Sequence, residues 1–296
     1  MPAEAGLAHG GPGAAGVPDA TAVLARAAGE NFPVAPRWLP RALRRDLLAL
    51  YGFARLVDQL GDDAAGDREA LLDALEDELG LAFDGRARTP LLAEVGRVAK
   101  ERGLPRGPFL RLVEANRRDQ RVTRAATWAE LEDYCRLSAN PVGELVLALF
   151  GVATPERIAW SDAICTALQL VEHCQDVRED LGRGRIYLPG DERAAFGVRE
   201  EDLRTAPAPE PLRRLLAFEA ERARSLLRAG EPLLATLPAL ARVCVAGYAA
   251  GGHAALDALA RAGFDATSRT RAPRRRDTLR HALRLLARSL RRGAAR

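Results

Sequence analysis

Apolar and polar residues alternate with a helical period along nearly the whole chain. Apolar residues recur at steps of three and four, which places them on one face of an α-helix. No run of Val, Ile, Thr and aromatic residues alternates with the period of two that a half-buried strand requires. Glycine and proline interrupt the pattern at short intervals. We therefore predict helices near residues 20–29, 37–63, 67–84, 89–102, 106–119, 127–151, 154–183, 209–229, 238–264 and 277–292.

Composition also favours an all-α protein with a substantial core. Hydrophobic residues make up 48% of the 296 positions but aromatic residues only 5%, so the apolar content is mostly small and aliphatic. No segment between predicted helices is long enough to separate two domains, so we predict one domain over residues 21–268. Residues 1–20 are rich in Ala, Gly and Pro, and we expect them to be disordered and not to act as a signal peptide. We also expect no membrane-spanning segment.

The net charge of +4 is concentrated near the C-terminus. Residues 269–296 contain eleven arginines and one acid, Asp277, so the remainder of the chain is acidic. An apolar stripe at helical spacing runs through this basic segment and comprises Leu279, Leu283, Leu286 and Leu290. The pattern is that of an amphipathic helix able to lie on an anionic membrane, and equally that of a last helix packed on the core. Nucleic-acid binding is not expected of an otherwise acidic chain.

The cysteines point to a reducing compartment. They form no CxxC pair and lie within predicted helices, where a free thiol behaves as a small apolar side chain. We therefore expect free cysteines in a cytoplasmic protein, with peripheral contact at the inner face of the membrane as an added option. The four are Cys135, Cys165, Cys174 and Cys244.

Two acidic stripes, far apart in sequence, interrupt otherwise apolar helices. The first, in YGFARLVDQLGDD, comprises Tyr51, Arg55, Asp58 and Asp62. The second, in QLVEHCQDVREDLG, comprises Gln169, Glu172, Asp176 and Asp180. Steps of three and four place each set on one helix face, and Mg²⁺ characteristically bridges carboxylates to substrate phosphates. The stripes therefore predict a metal and diphosphate site, although acid pairs at this spacing are also common on solvated helix faces.

Two further motifs accompany the stripes. RGRIYLP follows the second stripe and supplies Arg183, Arg185 and Tyr187, of which the arginines would complement phosphate oxygens. SANPVG, residues 138–143, stands within a strongly apolar helical pattern. Its proline removes a backbone hydrogen bond, which predicts either a kinked helix or a turn between two helices.

Three segments of the chain resemble those of the squalene/phytoene synthase family. They are ENFPVAPRWLPRALRRDLLALYGFARLVDQLGDD, DYCRLSANPVGELVLALFG and LQLVEHCQDVREDLGRGRIYLP, and the resemblance extends from about residue 30 to residue 280. The ENFPVA and SANPVG blocks resemble in particular the bacterial hydroxysqualene synthases of hopanoid biosynthesis. The resemblance implies an isoprenoid-synthase-type helical bundle around a central apolar cavity, with Mg²⁺, or alternatively Mn²⁺, at the cavity mouth.

The resemblance also implies roles for individual residues. The metal ligands would be Asp58, Asp62, Glu172, Asp176 and Asp180, and the four aspartates among them would serve catalysis. Tyr134 would steady carbocations or guide a proton. The substrate-binding residues would be Asn31, Tyr51, Arg55, Gln169, Glu172, Arg183, Arg185 and Tyr187. Glu172 is a departure, because the family usually has Asn at this position.

The expected reaction is conversion of presqualene diphosphate to hydroxysqualene with release of diphosphate. No GxGxxG follows a strand, so we predict no nicotinamide cofactor, which favours capture of the carbocation by water over reduction. A related alternative is head-to-head condensation of two prenyl diphosphates, giving presqualene diphosphate, dehydrosqualene or phytoene. An alternative of another class is a non-catalytic helical scaffold or assembly factor of the same fold.

Overall fold

The regular structure of the protein is helical, as predicted. A computed structural model describes residues 34–36, 38–268 and 272–294, and within them the only β-type pairing is an isolated bridge between Arg124 and Ile186. The predicted disordered segment at 1–20 and helix at 20–29 lie outside the described residues. The helices are α1 (Arg41–Asp62), α2 (Arg68–Phe83), α3 (Pro90–Arg102), α4 (Gly107–Arg121), α5 (Trp128–Ser138), α6 (Asn140–Leu149), α7 (Pro155–Gln175), α8 (Val177–Gly182), α9 (Gly190–Phe196), α10 (Glu210–Gly230), α11 (Pro232–Thr236), α12 (Ala239–Arg261) and α13 (Arg275–Ala294).

Local capping explains several helix starts. The side chains of Asp67, Thr127 and Thr154 each accept a hydrogen bond from the backbone N–H three residues later, at the starts of α2, α5 and α7. Such caps satisfy amide groups that have no partner inside the helix. Sequence reasoning missed the short helices α9 and α11, which are too brief to show a periodic pattern.

Two predicted helices are each divided in the structure. The helix predicted at 127–151 is two helices that meet at Ala139, so the SANPVG block forms a turn, and Pro141 lies in the first turn of α6. Proline is tolerated there because the first amide groups of a helix have no internal partner. The helix predicted at 154–183 ends at Gln175, and α8 restarts after Asp176, whose ψ of 15° is not helical.

Two hydrophobic cores meet at the central helices α6 and α7. The first packs α1 to α4, with Phe109 in edge-on contact with Phe53 at a centroid distance of 5.1 Å. The second packs α7 against α10 and α12. Helix α6 serves both, since Leu145 belongs to the first core and Leu147 to the second. The bundle is therefore a single domain, and the region between the cores is where a cavity forms.

Helix α12 corrects the expectation that no segment is apolar enough to cross a membrane. Its 23 residues, Ala239–Arg261, pass that test by length and composition. However, 67% of its most apolar window is buried inside the protein. A core helix of alanine and glycine accounts for this pattern.

Helix α13 packs on α12 and α11 as the last helix of the fold. Leu285 and Ser289 are buried, and the Arg261 guanidinium lies 2.9 Å from the Asp277 carboxylate. The predicted apolar stripe is divided between the protein interior and the surface. Leu286 is partly buried against the second core. The other three stripe leucines face outward, with exposed fractions of 59 to 61%, and are Leu279, Leu283 and Leu290.

The four cysteines are free thiols, as expected. Cys135, Cys174 and Cys244 are buried, and Cys165 is partly buried beside a cavity. Burial raises the pKa of the Cys135 and Cys165 thiols to about 12, so both are neutral at physiological pH.

Candidate active site

Two neighbouring cavities, one polar and one apolar, are lined by α1, α7 and the segments on either side of the α5–α6 turn, and we call them the polar end and the apolar end of one cleft. On α1 the lining changes from Ala54 at the apolar end to Asp58 at the polar end, one helical turn later. On α7 it changes between Leu168 and Gln169. Because the same three segments line both ends, the two cavities adjoin at one level of the bundle.

The polar end gathers most of the side chains that the sequence predicted as site residues. Those that line it are Asp58, Asp62, Tyr134, Gln169, Glu172, Asp176, Asp180, Arg183, Arg185 and Tyr187. Tyr51 instead lines the apolar end. Arg55 donates a hydrogen bond from Nε to the Tyr51 hydroxyl oxygen at 3.2 Å. Asn31 lies outside the described residues.

The first acidic wall is the continuous helix α1. A guanidinium nitrogen of Arg55 is 3.6 Å from an Asp58 carboxylate oxygen, and the Asn116 amide donates to Asp58 at 3.4 Å. The surrounding protein desolvates the Asp58 carboxylate and raises its pKa to about 6, although 49% of the side chain is exposed. Arg185 is 93% buried and donates to Asp62 at 2.5 Å. This wall is thus partly neutralised by arginines.

The second acidic wall is bent at the α7–α8 break. Burial raises the pKa of Asp176 to about 6, and the nearby carboxylates of Asp180 and Glu179 act in the same direction. His173 Nδ1 lies 3.8 Å from an Asp180 oxygen, and Arg183 pairs with Glu179 at 3.0 Å. Burial and neighbouring carboxylates both disfavour the ionised form of an acid, so they raise the pKa of Asp176 together.

An aromatic and acidic cluster closes the polar end. The Tyr187 ring stacks on His173 at 4.0 Å and on Tyr134 at 5.2 Å, measured between ring centroids. The Tyr134 hydroxyl donates to Asp119 at 2.7 Å. Burial raises the pKa of Asp119 to about 6, and its second carboxylate oxygen, Oδ1, has no hydrogen-bond partner among the described residues. His173 is buried.

Asp119 is a site residue that the sequence analysis missed. It follows Leu112 and Asn116 at steps of four and three, and all three line the polar end from α4. This spacing within an amphipathic helix was a usable signal. The acid lies beside several arginines in the sequence, however, which made it resemble an ordinary solvated position.

The apolar end is a cavity that is partly open to solvent and is lined almost entirely by apolar atoms. Gly143 makes room there, since a Cβ atom at this position would lie 2.3 Å from Ser161 Oγ and 2.6 Å from Cys165 Sγ. The other side chains that line this end are mainly aliphatic, and include Leu47, Leu50, Val142, Val146, Leu168 and Val245.

The carboxylates do not form a closed metal cage. In the part of the chain that the structure describes, no group of three or more His, Cys, Asp or Glu side chains is placed to hold a metal ion by itself. The oxygen donors instead come as pairs on two walls of one cavity. This donor set suits Mg²⁺, which keeps several waters and binds through one or two carboxylates together with substrate phosphates.

Comparison with known proteins assigns the family. The model of squalene/phytoene synthase matches residues 25–278. The chain belongs to the squalene/phytoene synthase family. Members of this family are isoprenoid-biosynthesis enzymes that act on prenyl diphosphates. The polar and apolar ends of the cleft therefore belong to an enzyme fold with that substrate class.

Individual members of the squalene/phytoene synthase family are similar over most of the chain. A hydroxysqualene synthase of Rhodopseudomonas palustris is 39% identical over 211 residues, 70% of this chain and 71% of the relative. A phytoene synthase of Mycobacterium tuberculosis is 32% identical over 231 residues, 76% of each chain. The crystal structure of squalene synthase HpnC from Alicyclobacillus acidocaldarius is 45% identical, with a TM-score of 0.75 over 82% of this chain and 92% of that chain. The fold class is thus that of the isoprenoid synthases, as predicted.

Proposed function

We propose that this protein is a Mg²⁺-dependent hydroxysqualene synthase of hopanoid biosynthesis. It would convert presqualene diphosphate to hydroxysqualene and release diphosphate, as a carbon–oxygen lyase. The observation that supports this most is the neighbouring position of two cavities on the same helices, one with two carboxylate walls and the other aliphatic. A substrate with a diphosphate head and long hydrocarbon arms matches both ends.

The polar end would hold the diphosphate and the metal. Mg²⁺ would be held by Asp58, Asp62, Glu172, Asp176 and Asp180, and when bound it supplies Lewis-acid stabilisation of the leaving diphosphate. Among the other groups, Arg183 is the guanidinium on the second wall that borders the cavity with 40% of its side chain exposed. Gln169 and Tyr187 line the same space and would orient the diphosphate by hydrogen bonds.

The arginines of the first wall have a more limited part. Arg185 is buried against Asp62, and Arg55 lies between Asp58 and Tyr51. Both therefore position the acids before any substrate arrives, and they counter the repulsion between carboxylates. Asn31 stays a predicted diphosphate contact.

The apolar end would house the carbocation that remains after diphosphate leaves. An aliphatic cavity excludes bulk water, which would otherwise quench the cation before it rearranges. Aromatic rings stabilise nearby positive charge through their electron-rich faces. Tyr51 lines the apolar end and Tyr134 the polar end, and Asp119 holds the Tyr134 hydroxyl in place.

Incubation of the purified protein with defined substrates tests the proposal. Presqualene diphosphate with Mg²⁺ should give hydroxysqualene, identified by mass spectrometry, and EDTA should stop the reaction. Farnesyl and geranylgeranyl diphosphates should give no product. Formation of presqualene diphosphate, dehydrosqualene or phytoene from them would overturn the proposal in favour of a condensing synthase, an alternative that the similarity to phytoene synthase keeps open.

A non-catalytic scaffold of the same fold predicts no product from any of these substrates. It also predicts no Mg²⁺-dependent binding of inorganic diphosphate by calorimetry. The retention of all four motif aspartates in one cavity favours an enzyme. Binding of diphosphate without turnover would indicate an enzyme that has lost activity and not a scaffold.

We also propose that the outer face of α13 contacts the membrane, which would place this cytoplasmic enzyme at the inner face. Leu279, Leu283 and Leu290 form an exposed apolar strip, and Arg276 and Arg284 are exposed beside it. A basic amphipathic surface of this kind binds anionic lipid.

Sedimentation with vesicles tests the contact. The protein should bind vesicles of phosphatidylglycerol more than those of phosphatidylcholine, and replacement of the three leucines by glutamine should abolish binding while turnover of a detergent-dispersed substrate persists. Equal binding by the triple variant would refute the contact. Leu240→Gln, a change of one exposed leucine on α12, is the matched control.

A further inference from the structure

One hydroxyl group in the cleft has no assigned role and no hydrogen-bond partner among the described residues. Ser138 is the last residue of α5, and its side chain lines the polar end. Its oxygen, Oγ, is buried, and no described residue lies within hydrogen-bonding distance and geometry. Buried hydroxyls nearly always have a partner, so an unpaired one beside a cavity points to a bound water or ligand.

Ser138 lies at the level where the two ends of the cleft meet. Across the Ala139 turn, Val142 and Gly143 already line the apolar end. On the facing helix α7, the change from apolar to polar lining falls at Leu168 and Gln169. The Ser138 hydroxyl is thus the polar group that the α5–α6 turn contributes at the junction.

The hydroxyl groups of the apolar end are already engaged. The Tyr248 hydroxyl donates to the backbone carbonyl of Val34 at 3.2 Å. The Tyr51 hydroxyl oxygen accepts from Arg55. Ser161 Oγ makes a 4.0 Å contact with Cys165 Sγ, next to the Cα of Gly143. Compared with these three groups, Ser138 retains both its donor and its acceptor capacity for a water molecule.

We propose that the Ser138 hydroxyl holds the water molecule that captures the carbocation. The inference rests on the proposed function and adds a positioning residue to it. The Ser138 oxygen accepts a hydrogen bond from this water, which leaves a lone pair of the water oxygen directed at the cation. A carbon–oxygen bond forms from that lone pair, and one water proton passes to the departed diphosphate, which is a base. No bond to Ser138 forms or breaks.

A single water held at the junction accounts for two requirements at once. The cation needs an aliphatic surrounding until it has rearranged, and it then needs one nucleophile at a defined carbon. A hydroxyl placed at the edge of the aliphatic cavity meets both conditions, because it admits one water without hydrating the cavity. According to the proposal, this side chain therefore determines the product. Water capture gives hydroxysqualene, whereas elimination would give a hydrocarbon.

An isosteric pair of variants tests the proposal. Ser138→Thr keeps the hydroxyl, and Ser138→Val has the same shape without it, so any packing change is common to both. With presqualene diphosphate, Ser138→Val should shift the ratio of eliminated C30 hydrocarbons to hydroxysqualene by about tenfold, the effect of losing one ordinary hydrogen bond. Diphosphate release should change by less than about threefold relative to Ser138→Thr, because ionisation precedes capture.

Labelled water and a remote control complete the design. In H₂¹⁸O the wild-type hydroxyl should carry the label, and an unlabelled product would overturn the proposal because the oxygen would then come from diphosphate. Ser289→Ala removes a buried hydroxyl of α13 that bonds to Leu286 O, and it should leave the product ratio unchanged. If the wild type makes hydroxysqualene but Ser138→Val and Ser138→Thr have equal product ratios, the inference fails while the proposed function stands. If the wild type does not turn over presqualene diphosphate, both fail.

Discussion

The two ends of the cleft are built on the same helices but have opposite energetic characters. At the polar end, burial and mutual repulsion raise the carboxyl pKa values of Asp58 and Asp176 to about 6, so their ionised forms are disfavoured in the folded protein. At the apolar end, side chains such as Leu47 and Leu50 are buried in the first core and favour folding. The polar end therefore opposes stability and the apolar end supports it.

This difference shows where function and stability separate in the bundle. Desolvated acids held close together are shifted toward protonation, and the buried Arg185 offsets this on the first wall. Sites that serve chemistry commonly oppose the stability of the fold around them. Substitutions at the polar end should thus affect turnover, whereas those at the apolar end should affect stability as well.

The largest expected effect is on turnover at the polar end. Asp58→Asn and Asp176→Asn each remove a charge on one wall and should lower the turnover of presqualene diphosphate by at least about 100-fold. Their urea midpoints at pH 8 without Mg²⁺ should equal or exceed that of the wild type, since a repelled charge is gone. Asp77→Asn, on the exposed face of α2, is the control and should change neither quantity. A lower midpoint in both cleft variants would contradict the comparison.

The next effect is on stability at the apolar end. Gly143→Ala introduces a Cβ that would lie 2.3 Å from Ser161 Oγ and 2.6 Å from Cys165 Sγ. Overpacking of this kind should lower the free energy of unfolding by about 1–3 kcal/mol, measured by urea denaturation. Gly107→Ala is the matched control, because nothing lies within 4 Å of an added Cβ there. Equal stability of the two variants would show that the apolar end is loosely packed.

A buried acid outside the cleft gives a further test, because its protonation should make the stability of the fold depend on pH. Glu219 on α10 is fully buried beside Glu192, with Arg222 donating to both, and burial holds the pKa of Glu219 well above its usual range. The folded protein keeps this proton while the unfolded chain loses it above about pH 4.5, so stability should fall as pH rises. The decline is at most about 1.4 kcal/mol per pH unit.

Glu219→Gln keeps a neutral side chain of the same shape and should remove this decline. Urea denaturation of both proteins at pH 6 and pH 8.5 provides the measurement, and the difference between them isolates Glu219 from other titrating groups. The variant should gain stability relative to the wild type at the higher pH. A difference that does not change with pH would mean that Glu219 is ionised in the folded protein.

The smallest effect concerns Glu172, a carboxylate of the second wall. Glu172→Gln removes one negative charge from the polar end, worth about 1 kcal/mol near a cation. The Mg²⁺ concentration for half-maximal turnover should therefore rise about fivefold. Glu221→Gln, an exposed acid of α10, is the control. An unchanged Mg²⁺ requirement would place Glu172 outside the metal set.

Helical periodicity was sufficient to predict much of the site. Asp58 and Asp62, or Asp176 and Asp180, are one turn apart along the chain, so local spacing alone places each pair on one face. The acids of both stripes line the polar end together, whereas Tyr51 of the first stripe lines the apolar end. The interruption of α7 at Asp176 was not predicted, since QLVEHCQDVREDLG contains neither glycine nor proline before Gly182.

Other features depend on contacts between segments far apart in sequence. Asp119 belongs to the site because Tyr134, fifteen residues later on another helix, donates to it. The exposed face of α13 includes Leu283 but not Leu285, because α12 and α11 cover one side of that helix. Hydrophobicity alone does not distinguish a leucine packed on a neighbouring helix from one that faces outward.

The sequence by itself determined the helical class, the two acidic stripes and the basic character of the last helix. Each of these follows from local periodicity and charge, which act over one or two helical turns. Only the tertiary structure decided that a polar and an apolar cavity lie next to each other on the same helices, and that Asp119 and Arg185 meet beside Tyr187. Those relations depend on how helices pack across the two cores, and packing is a property of the whole chain and not of any segment.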